Sequence, residues 1–414
     1  QYRHLFPSNA LFFPDTDTFL QRFISSDIRN RAVLIKGARD FHFERITGLL
    51  QLQTHKTVLE IDVNALVHNL NYFRSLLHPG TRIMVMVKAL SYGSGTHEIA
   101  GLLQHQKVDY LAVAFTDEGV RLRNAGIELP VMVMNPDPSE YEQLIDHQLE
   151  PELFSLRGLE AFDRTCRYQG VTDYPVHIKL DTGMHRLGFM EKDLPGLREV
   201  LAGSQLRIRS VFSHLAVSDD PGEDAFTREQ ILRFSRMADR LADGLPYPVL
   251  RHILNSSGIE RFPADQMDMV RLGIGLYGIG RMAELTPVSS FRSVVSQVRE
   301  LEAGETIGYG RLGKTEGPSV IATVPVGYAD GVDRRLGNGK INFLVGGKPA
   351  PTIGSICMDM TMLDVTGLDV REGDGVEIFG KQQPVTRLAE IMGTIPYEVF
   401  TGIPERVKRI YTQE

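Results

Sequence analysis

The sequence predicts an α/β protein: a (β/α)8 TIM-like barrel followed by a mainly-β C-terminal domain. Three observations predict it. Eight short runs rich in apolar and β-branched residues alternate with amphipathic helical stretches between Arg82 and Gly275. Several of these runs end on polar or charged residues, where a barrel of this kind carries its chemistry. After about Phe291 the alternation gives way to short strands separated by glycine turns.

In chain order the runs are "RIMVMVK" from Arg82, "DYLAVA" from Asp109, "PVMVMN" from Pro130, "EPELFS" from Glu150, "PVHIKLD" from Pro175, "IRSVFSHL" from Ile208, "VLRHILNS" from Val249 and "MVRLGIG" from Met269. Segments such as "SEYEQLIDHQ" and "TREQILRFSRMADRLADG" separate them and carry helical periodicity with polar faces. A doubly wound open sheet is the competing arrangement. The barrel demands functional groups at the carboxyl ends of its strands. Lys88 ends the first run, Lys179 and Asp181 the fifth, His214 the sixth, Asn255 and Ser256 the seventh, and Arg271 with Gly273 the eighth. Any one of these has a structural explanation, since a lysine closing a buried strand usually just reaches water. Five polar strand ends together point to a site. The segments "PSVIATVPVGYADG", "KINFLVGGKPAP", "ICMDMTMLDV" and "GDGVEIFG" read as the all-β domain, and the early "KTVLEIDV" is a candidate member of it. The expected organisation is an N-terminal segment at 1–55, a barrel at 56–290 and a β domain at 291–414.

Composition narrows the class. The chain has 414 residues and a formal net charge of −7, which disfavours nucleic acid as a partner. Cys166 and Cys357 are its only cysteines, so neither a disulfide framework nor a cysteine metal site is expected, and a reducing cytoplasm is the expected compartment. No apolar run reaches the ~18 residues of a membrane span, and no signal-peptide pattern opens the chain. The first residue is Gln1, which reads as part of a longer protein.

The motifs "VKALSYGSG", "HIKLDTGMHRLGF", "FSHLA", "LNSSG", "MVRLGIGLYG", "TIGYGR", "VPVGYADG", "SICMDMTMLDV" and "TIPYEVFTGIPERVKRIY", in this order from about Thr57 to Tyr411, resemble the alanine racemases. These are pyridoxal-phosphate enzymes built from a barrel and a β domain. The first motif departs from the family form at Leu90, Ser91 and Ser94, where asparagine, alanine and histidine commonly stand.

The resemblance implies pyridoxal 5'-phosphate as cofactor and alanine as substrate, with D-alanine going to peptidoglycan. Lys88 is implied as the lysine that joins the cofactor covalently and acts as one base, with Tyr309 as the base on the opposite face. A phenol has a reference pKa of ~10, so its proton must be made easier to remove by neighbours such as His214 and Arg271. Arg271 is implied at the pyridine nitrogen. A guanidinium stays protonated there, which discourages side reactions such as transamination. Tyr92, Ser256, Tyr397 and the amides of Gly273 and Ile274 are implied at the phosphate, with Asn255 beside them. Arg186 and the amide of Met358 are implied at the substrate carboxylate, with Tyr328 and Tyr397 at the entrance and Asp359 in support of the Tyr309 side. Lys179 resembles the family lysine that carbon dioxide carbamylates. An unmodified Lys179 paired with Asp181 is the alternative. No metal is implied.

Because Tyr309 and Met358 fall in the β domain, the resemblance implies a head-to-tail homodimer with shared sites. The first ~55 residues, with "AVLIKGARDFHFERITGLL", resemble the end of the UDP-N-acetylmuramoyl-tripeptide D-alanyl-D-alanine ligases, as in a bifunctional ligase and racemase fusion. The competing functions are a broader amino-acid racemase or amino-acid decarboxylase of the same barrel type, and a noncatalytic cofactor carrier.

Overall fold

Strand β1 (Val58–Asp62) opens the larger of two units, Thr57–Glu414, and the next eight strands build its barrel. These are β2 (Arg82–Met86), β3 (Tyr110–Val113), β4 (Val131–Val133), β5 (Glu150–Leu153), β6 (Tyr174–Lys179), β7 (Leu206–Phe212), β8 (Leu250–His252) and β9 (Met269–Leu272). In this computed structural model, which describes residues 10–22, 33–36, 46, 56–243 and 245–413, all eight lie in one parallel sheet ordered β8-β7-β6-β5-β4-β3-β2-β9. Where β8 meets β9 there is no ladder. Two backbone hydrogen bonds bridge the seam, Asp268 N to Arg251 O at 3.2 Å and Arg271 N to Leu254 O at 3.0 Å, so the barrel is nearly closed. The predicted runs are the observed strands, and the open doubly wound sheet is excluded.

The strands form because their residues suit burial on both faces. Every residue of β3, β4 and β9 is buried, as expected for parallel strands between a filled interior and a ring of helices. The outer helices follow their periodicity. Helix Leu156–Tyr168 buries Leu159, Phe162 and Cys166, and starts where the Ser155 hydroxyl accepts from the Gly158 amide at 3.2 Å. Helix Asp224–Ala242 likewise turns Ile231, Phe234, Met237, Ala238 and Leu241 onto the barrel.

The β body continues with β10 (Ser289–Val294), β11 (Gln297–Leu301), β12 (Thr306–Ile307), β13 (Gly313–Lys314), β14 (Ser319–Val324), β15 (Asn342–Val345), β16 (Lys348–Pro351), β17 (Thr361–Asp364), β18 (Gly375–Phe379) and β19 (Lys408–Thr412). It holds a six-stranded sheet, β16-β15-β18-β10-β1-β19, a three-stranded sheet, β11-β14-β17, and the β12-β13 hairpin. Barrel and β body interleave in sequence. Strand β1 precedes the barrel but pairs antiparallel with β10 and parallel with β19, and β10 begins at Ser289, just inside the span expected for the barrel.

The end of the chain packs on the loop after β2. Arg409 Nε donates to the Gly93 carbonyl at 2.9 Å, and the Tyr411 hydroxyl donates to the Ser94 carbonyl at 2.9 Å. Gly93 has φ +80° and Gly95 φ +102°. A side chain would strike the Phe400 carbonyl at the first and the Tyr411 hydroxyl at the second. Gly95→Ala is therefore expected to destabilise the fold by about 2 kcal/mol through combined backbone strain and collision. A denaturant melt checks this, and an unchanged midpoint refutes it.

In the smaller unit, residues 1–56, the described part includes helix Thr16–Arg22, whose first turn is held by the Asp15 carboxylate accepting from Thr18 N at 2.7 Å. The segment "AVLIKGARDFHFERITGLL", which carries the resemblance to a ligase end, falls mostly outside the described residues; of those described, 33–36 are in no strand and Ile46 is helical.

Candidate active site

Lys88 directly follows Val87, the residue after β2, and starts a backbone turn of unusual hand. Ala89, Leu90, Ser91 and Tyr92 all have φ between 51° and 54°, a left-handed conformation that costs a side-chain-bearing residue about 1–2 kcal/mol. Its hydrogen bonds offset that cost. Ser91 N donates to Val87 O at 3.1 Å, Gly93 N to Ala89 O at 2.9 Å, and Ala89 N to the Glu118 carboxylate at 2.7 Å. The other Glu118 oxygen takes the amides of Ala114 and Phe115, so one side chain ties the ends of β2 and β3 together. Burial, and then the charge of Arg186, hold the Lys88 ammonium below its ordinary pKa.

Lys88 lines a cavity of about 350 Å³ with Tyr92, Arg186, His214, Arg271 and Tyr397, within the range of about 300–1,000 Å³ typical of cofactor sites. Asn255, Ser256, Gly273 and Ile274 also face it. At one end Ser256 Oγ accepts from the amides of Gly273 at 3.0 Å and Gly275 at 3.2 Å, which leaves its own proton free to donate. A side chain on Gly273 would come within 3.0 Å of the Tyr92 hydroxyl, so the cradle exists because residue 273 has none. Burial raises the Tyr92 phenol and pushes Tyr397 up to about 12, so both remain donors at neutral pH. Asn255 Oδ1 caps helix Ser256–Arg261 by accepting from Gly258 N at 3.0 Å, and it also accepts from Ser218 Oγ at 2.7 Å.

Arg271, 2% exposed, stands inside the barrel. Its guanidinium donates to the carbonyls of Ser213 at 2.6 Å and Ile253 at 3.0 Å, to His214 Nδ1 at 3.3 Å and to His252 Nδ1 at 2.8 Å. Burial pulls Arg271 down to about 10, which still leaves it charged at neutral pH. Burial and the Arg271 charge then push both histidines well below the usual imidazole value.

The contact with His252 begins a chain through the barrel interior. His252 Nε2 lies 2.8 Å from Ser210 Oγ, Ser210 Oγ 2.6 Å from His177 Nδ1, and His177 Nε2 2.9 Å from the Glu150 carboxylate. Arginine can only donate and a carboxylate only accept, so with neutral rings one proton arrangement satisfies every contact: Arg271 to His252, to Ser210, to His177, to Glu150. The chain exists because alternate residues of adjacent strands face the interior: Glu150 and Glu152 on β5, His177 and Lys179 on β6, Ser210 and Phe212 on β7.

His214 and His252 are bound neutral, whereas unfolded histidines take up protons near 6.5. With folded pKa values depressed, the unfolded state binds more protons below that pH, so stability is retained above it and lost as pH falls. Each histidine contributes a slope of about 1.4 kcal/mol per pH unit. Urea melts from pH 7 to 5 check this. Replacing His252 by phenylalanine is expected to flatten the slope, and an equally steep one refutes the assignment.

A family model described as "Alanine racemase, N-terminal domain" matches residues 61–280, and one described as "Alanine racemase, C-terminal domain" matches residues 288–411. The chain belongs to the alanine racemase family. It is 36% identical over 370 residues to alanine racemase 2 of Caldanaerobacter subterraneus subsp. tengcongensis, covering 86% of this chain and 94% of that protein. The solved alanine racemase of Clostridium difficile 630 superposes with a TM-score of 0.82 at 33% identity, covering 87% of this chain and 97% of that one. The Bartonella henselae alanine racemase, solved with covalently bound pyridoxal phosphate, gives 0.79 at 31% identity over 86% of this chain and 100% of that one.

Within one chain the expected alanine racemase site is gathered only in part. Tyr309, Tyr328, Met358 and Asp359 do not line the cavity around Lys88. Tyr309 is 73% exposed and Met358 52% exposed. Tyr309 sits on a turn between Gly308 and Gly310, with its carbonyl accepting from Ser355 Oγ at 3.3 Å. Asp359 accepts from Arg406 at 2.7 Å, and Arg406 also grips Asp330, which fixes the segment bearing Met358. Arg186 reaches the cavity from a loop organised by Asp181, whose carboxylate accepts from the amides of Gly183 at 3.0 Å and His185 at 3.1 Å.

Lys179 does not pair with Asp181, contrary to the alternative that its position in the sequence suggests. Strand β6 ends at Lys179, so Asp181 turns into that loop, while the lysine faces the barrel interior and pairs with Glu152 at 3.0 Å. Sequence reasoning missed Glu118, Glu152, His177, Ser210 and His252. For Glu152, His177 and Ser210 the available signal was polar residues on the interior-facing alternation of their strands: Glu150 and Glu152, His177 and Lys179, and Ser210 two before Phe212.

Proposed function

We propose that the chain interconverts L- and D-alanine with pyridoxal 5'-phosphate held at Lys88, in a head-to-tail homodimer whose sites are each completed by Tyr309 and Met358 of the second copy, and that it supplies D-alanine for peptidoglycan. One observation supports this reading above others. Lys88, Arg186, Arg271 and the Ser256–Gly273 cradle converge on one cavity, while Tyr309 and Met358 lie exposed outside it.

When bound, the cofactor withdraws electron density from the α-carbon of an attached amino acid, which makes its proton removable. The chain's own residues supply the rest. Tyr92, Ser256 and Tyr397 would hold the phosphate as hydrogen-bond donors, and Gly273 and Ile274 would let it approach the backbone. Arg271, locked by its acceptors, would donate to the ring nitrogen without giving up its proton, because a guanidinium remains the stronger holder of that proton. Arg186 and the amide of Met358 would fix the substrate carboxylate. Inversion requires the α-proton to leave on one side and return on the other. Lys88, whose depressed pKa leaves more neutral amine at working pH, would act on one side and the second copy's Tyr309 on the other. Tyr328 and Tyr397 would narrow the entrance. A missing or extra methylene is worth only about 1–3 kcal/mol, so serine is expected as a slow substrate.

Incubation with L-alanine in deuterated water tests the reading. Deuterium at the α-carbon of D-alanine without release of carbon dioxide is expected. Release of carbon dioxide would point to a decarboxylase, and unlabelled, uninverted alanine to a noncatalytic carrier.

A further inference from the structure

Beside the cavity lies a buried carboxylate that the proposed chemistry does not use. Glu152 is fully buried on β5, and its Oε1 lies 3.0 Å from Nζ of Lys179, itself 4% exposed. Both Glu152 oxygens are buried without a hydrogen-bond partner among the described residues, so the contact with Nζ is an ion pair alone. Lys179 also stands 5.0 Å from the centre of the Phe212 ring, a second contact suited to a cation. The same ring carries the Arg271 guanidinium 5.2 Å away. Burial raises the Glu152 carboxyl, and the charges of Lys179, Arg271 and Arg186 oppose that rise; the 3.0 Å contact with Lys179 Nζ is what pairs Glu152 as an anion with a cation. Arg186 has no hydrogen-bond partner among the described residues and feels this field across the wall of the cavity.

We propose that Glu152 is a positioning residue: it supplies the fixed negative charge of this wall, keeps Lys179 as an unmodified amine-bearing side chain, and steadies Arg186 for a substrate carboxylate. Carbamylation of Lys179 would set a second anion against a buried carboxylate, and like charges at such a separation cannot both persist there. Burial lowers the Lys179 pKa and Glu152 opposes that fall; while the ion pair holds its proton, Nζ has no free electron pair to attack carbon dioxide. The inference rests on the racemase reading for the role of Arg186, but the modification state of Lys179 can be measured without turnover.

The experiment uses the holoenzyme and carbon-13-labelled bicarbonate. Wild-type protein is expected to show no carbamate resonance, and to racemise alanine equally in buffer stripped of carbon dioxide and in buffer equilibrated with bicarbonate. Glu152→Gln, which keeps shape and removes charge, is expected to raise KM for alanine roughly tenfold or more with a smaller change in kcat, because one partner of a buried charge pair is lost. Glu152→Asp should recover part of this. In Glu152→Ala the unpaired, buried Lys179 favours its neutral form. Its nitrogen lone pair can then bond to the carbon of carbon dioxide, one C=O pair moving to oxygen and one nitrogen proton leaving to water, which rebuilds a carboxylate. Bicarbonate should therefore restore activity to Glu152→Ala together with a carbamate signal, and both should vanish when Lys179→Arg is added.

A wild-type carbamate signal that Lys179→Arg abolishes would overturn the proposal. So would a folded Glu152→Gln protein with wild-type KM. If wild-type enzyme exchanged no α-proton, the racemase reading would fail separately, and the resonance measurement would still decide whether Lys179 is modified. The same measurement decides it if the Glu152 variants fail to fold.

Discussion

Lys88→Ala and Tyr309→Phe proteins, each inactive alone, are expected to regain activity when their subunits are exchanged. Loss of either proton-handling group costs about 100- to 10,000-fold. In a shared-site heterodimer, the Lys88 of one subunit meets the Tyr309 of the other, so one site is intact and the second lacks both groups. Random exchange makes half the dimers mixed, with one working site of two, and about a quarter of wild-type activity returns. The expectation follows from the placement of Tyr309 on an exposed turn outside the cavity that holds Lys88. If both groups served a site within one chain, every subunit of the mixture would carry a lesion in its own site and activity would stay at background. Activity assays after subunit exchange, with mixed dimers isolated by orthogonal tags, separate the two outcomes.

The second large effect concerns Arg271. Replacement by lysine keeps the charge but is expected to destabilise the fold by about 2–4 kcal/mol, because buried acceptors are left without donors. The arginine serves the carbonyls of Ser213 and Ile253 and one nitrogen each of His214 and His252 from two separate amino groups. A lysine has one nitrogen, three protons and no planar face to lie near the Phe212 ring. The His252 acceptor would lose its donor, and the order of protons down to Glu150 would lose its anchor. Chemical denaturation of the variant, with racemisation measured in parallel, checks this. A variant as stable as wild type would show that the lysine recruits water or repacks to serve all four acceptors.

The barrel was legible because its strands are short apolar runs with helical spacers, and because functional groups stand at the same end of five of them. Arg271, Ser256, Gly273 and His214 could be placed from position alone, since each follows or ends a run. The interior chain was not legible in that way. His177 and Ser210 lie within their strands and not at their ends, and their partners come from other strands, so only the register joins them. Sequence proximity pairs Lys179 with Asp181 two residues away, but the carboxylate that faces it inside the barrel comes from Glu152 on the neighbouring strand. Nor does the sequence reveal the left-handed turn after Lys88. No glycine stands at residues 89 to 92, and surrounding hydrogen bonds impose a conformation that local preference opposes.

That turn also constrains when the protein can become competent. The carbonyls of Gly93 and Ser94 that follow it are held by Arg409 and Tyr411, and strand β1 waits for residues 408–412 to fill its open edge. A nascent chain that has already completed its barrel on the ribosome still lacks these contacts, so Lys88 acquires its final setting only after synthesis has passed Thr412. If the cofactor joins Lys88 as proposed, its capture by ribosome-bound intermediates should be poor until that point, which ties loading of the lysine to completion of both the barrel and the β body.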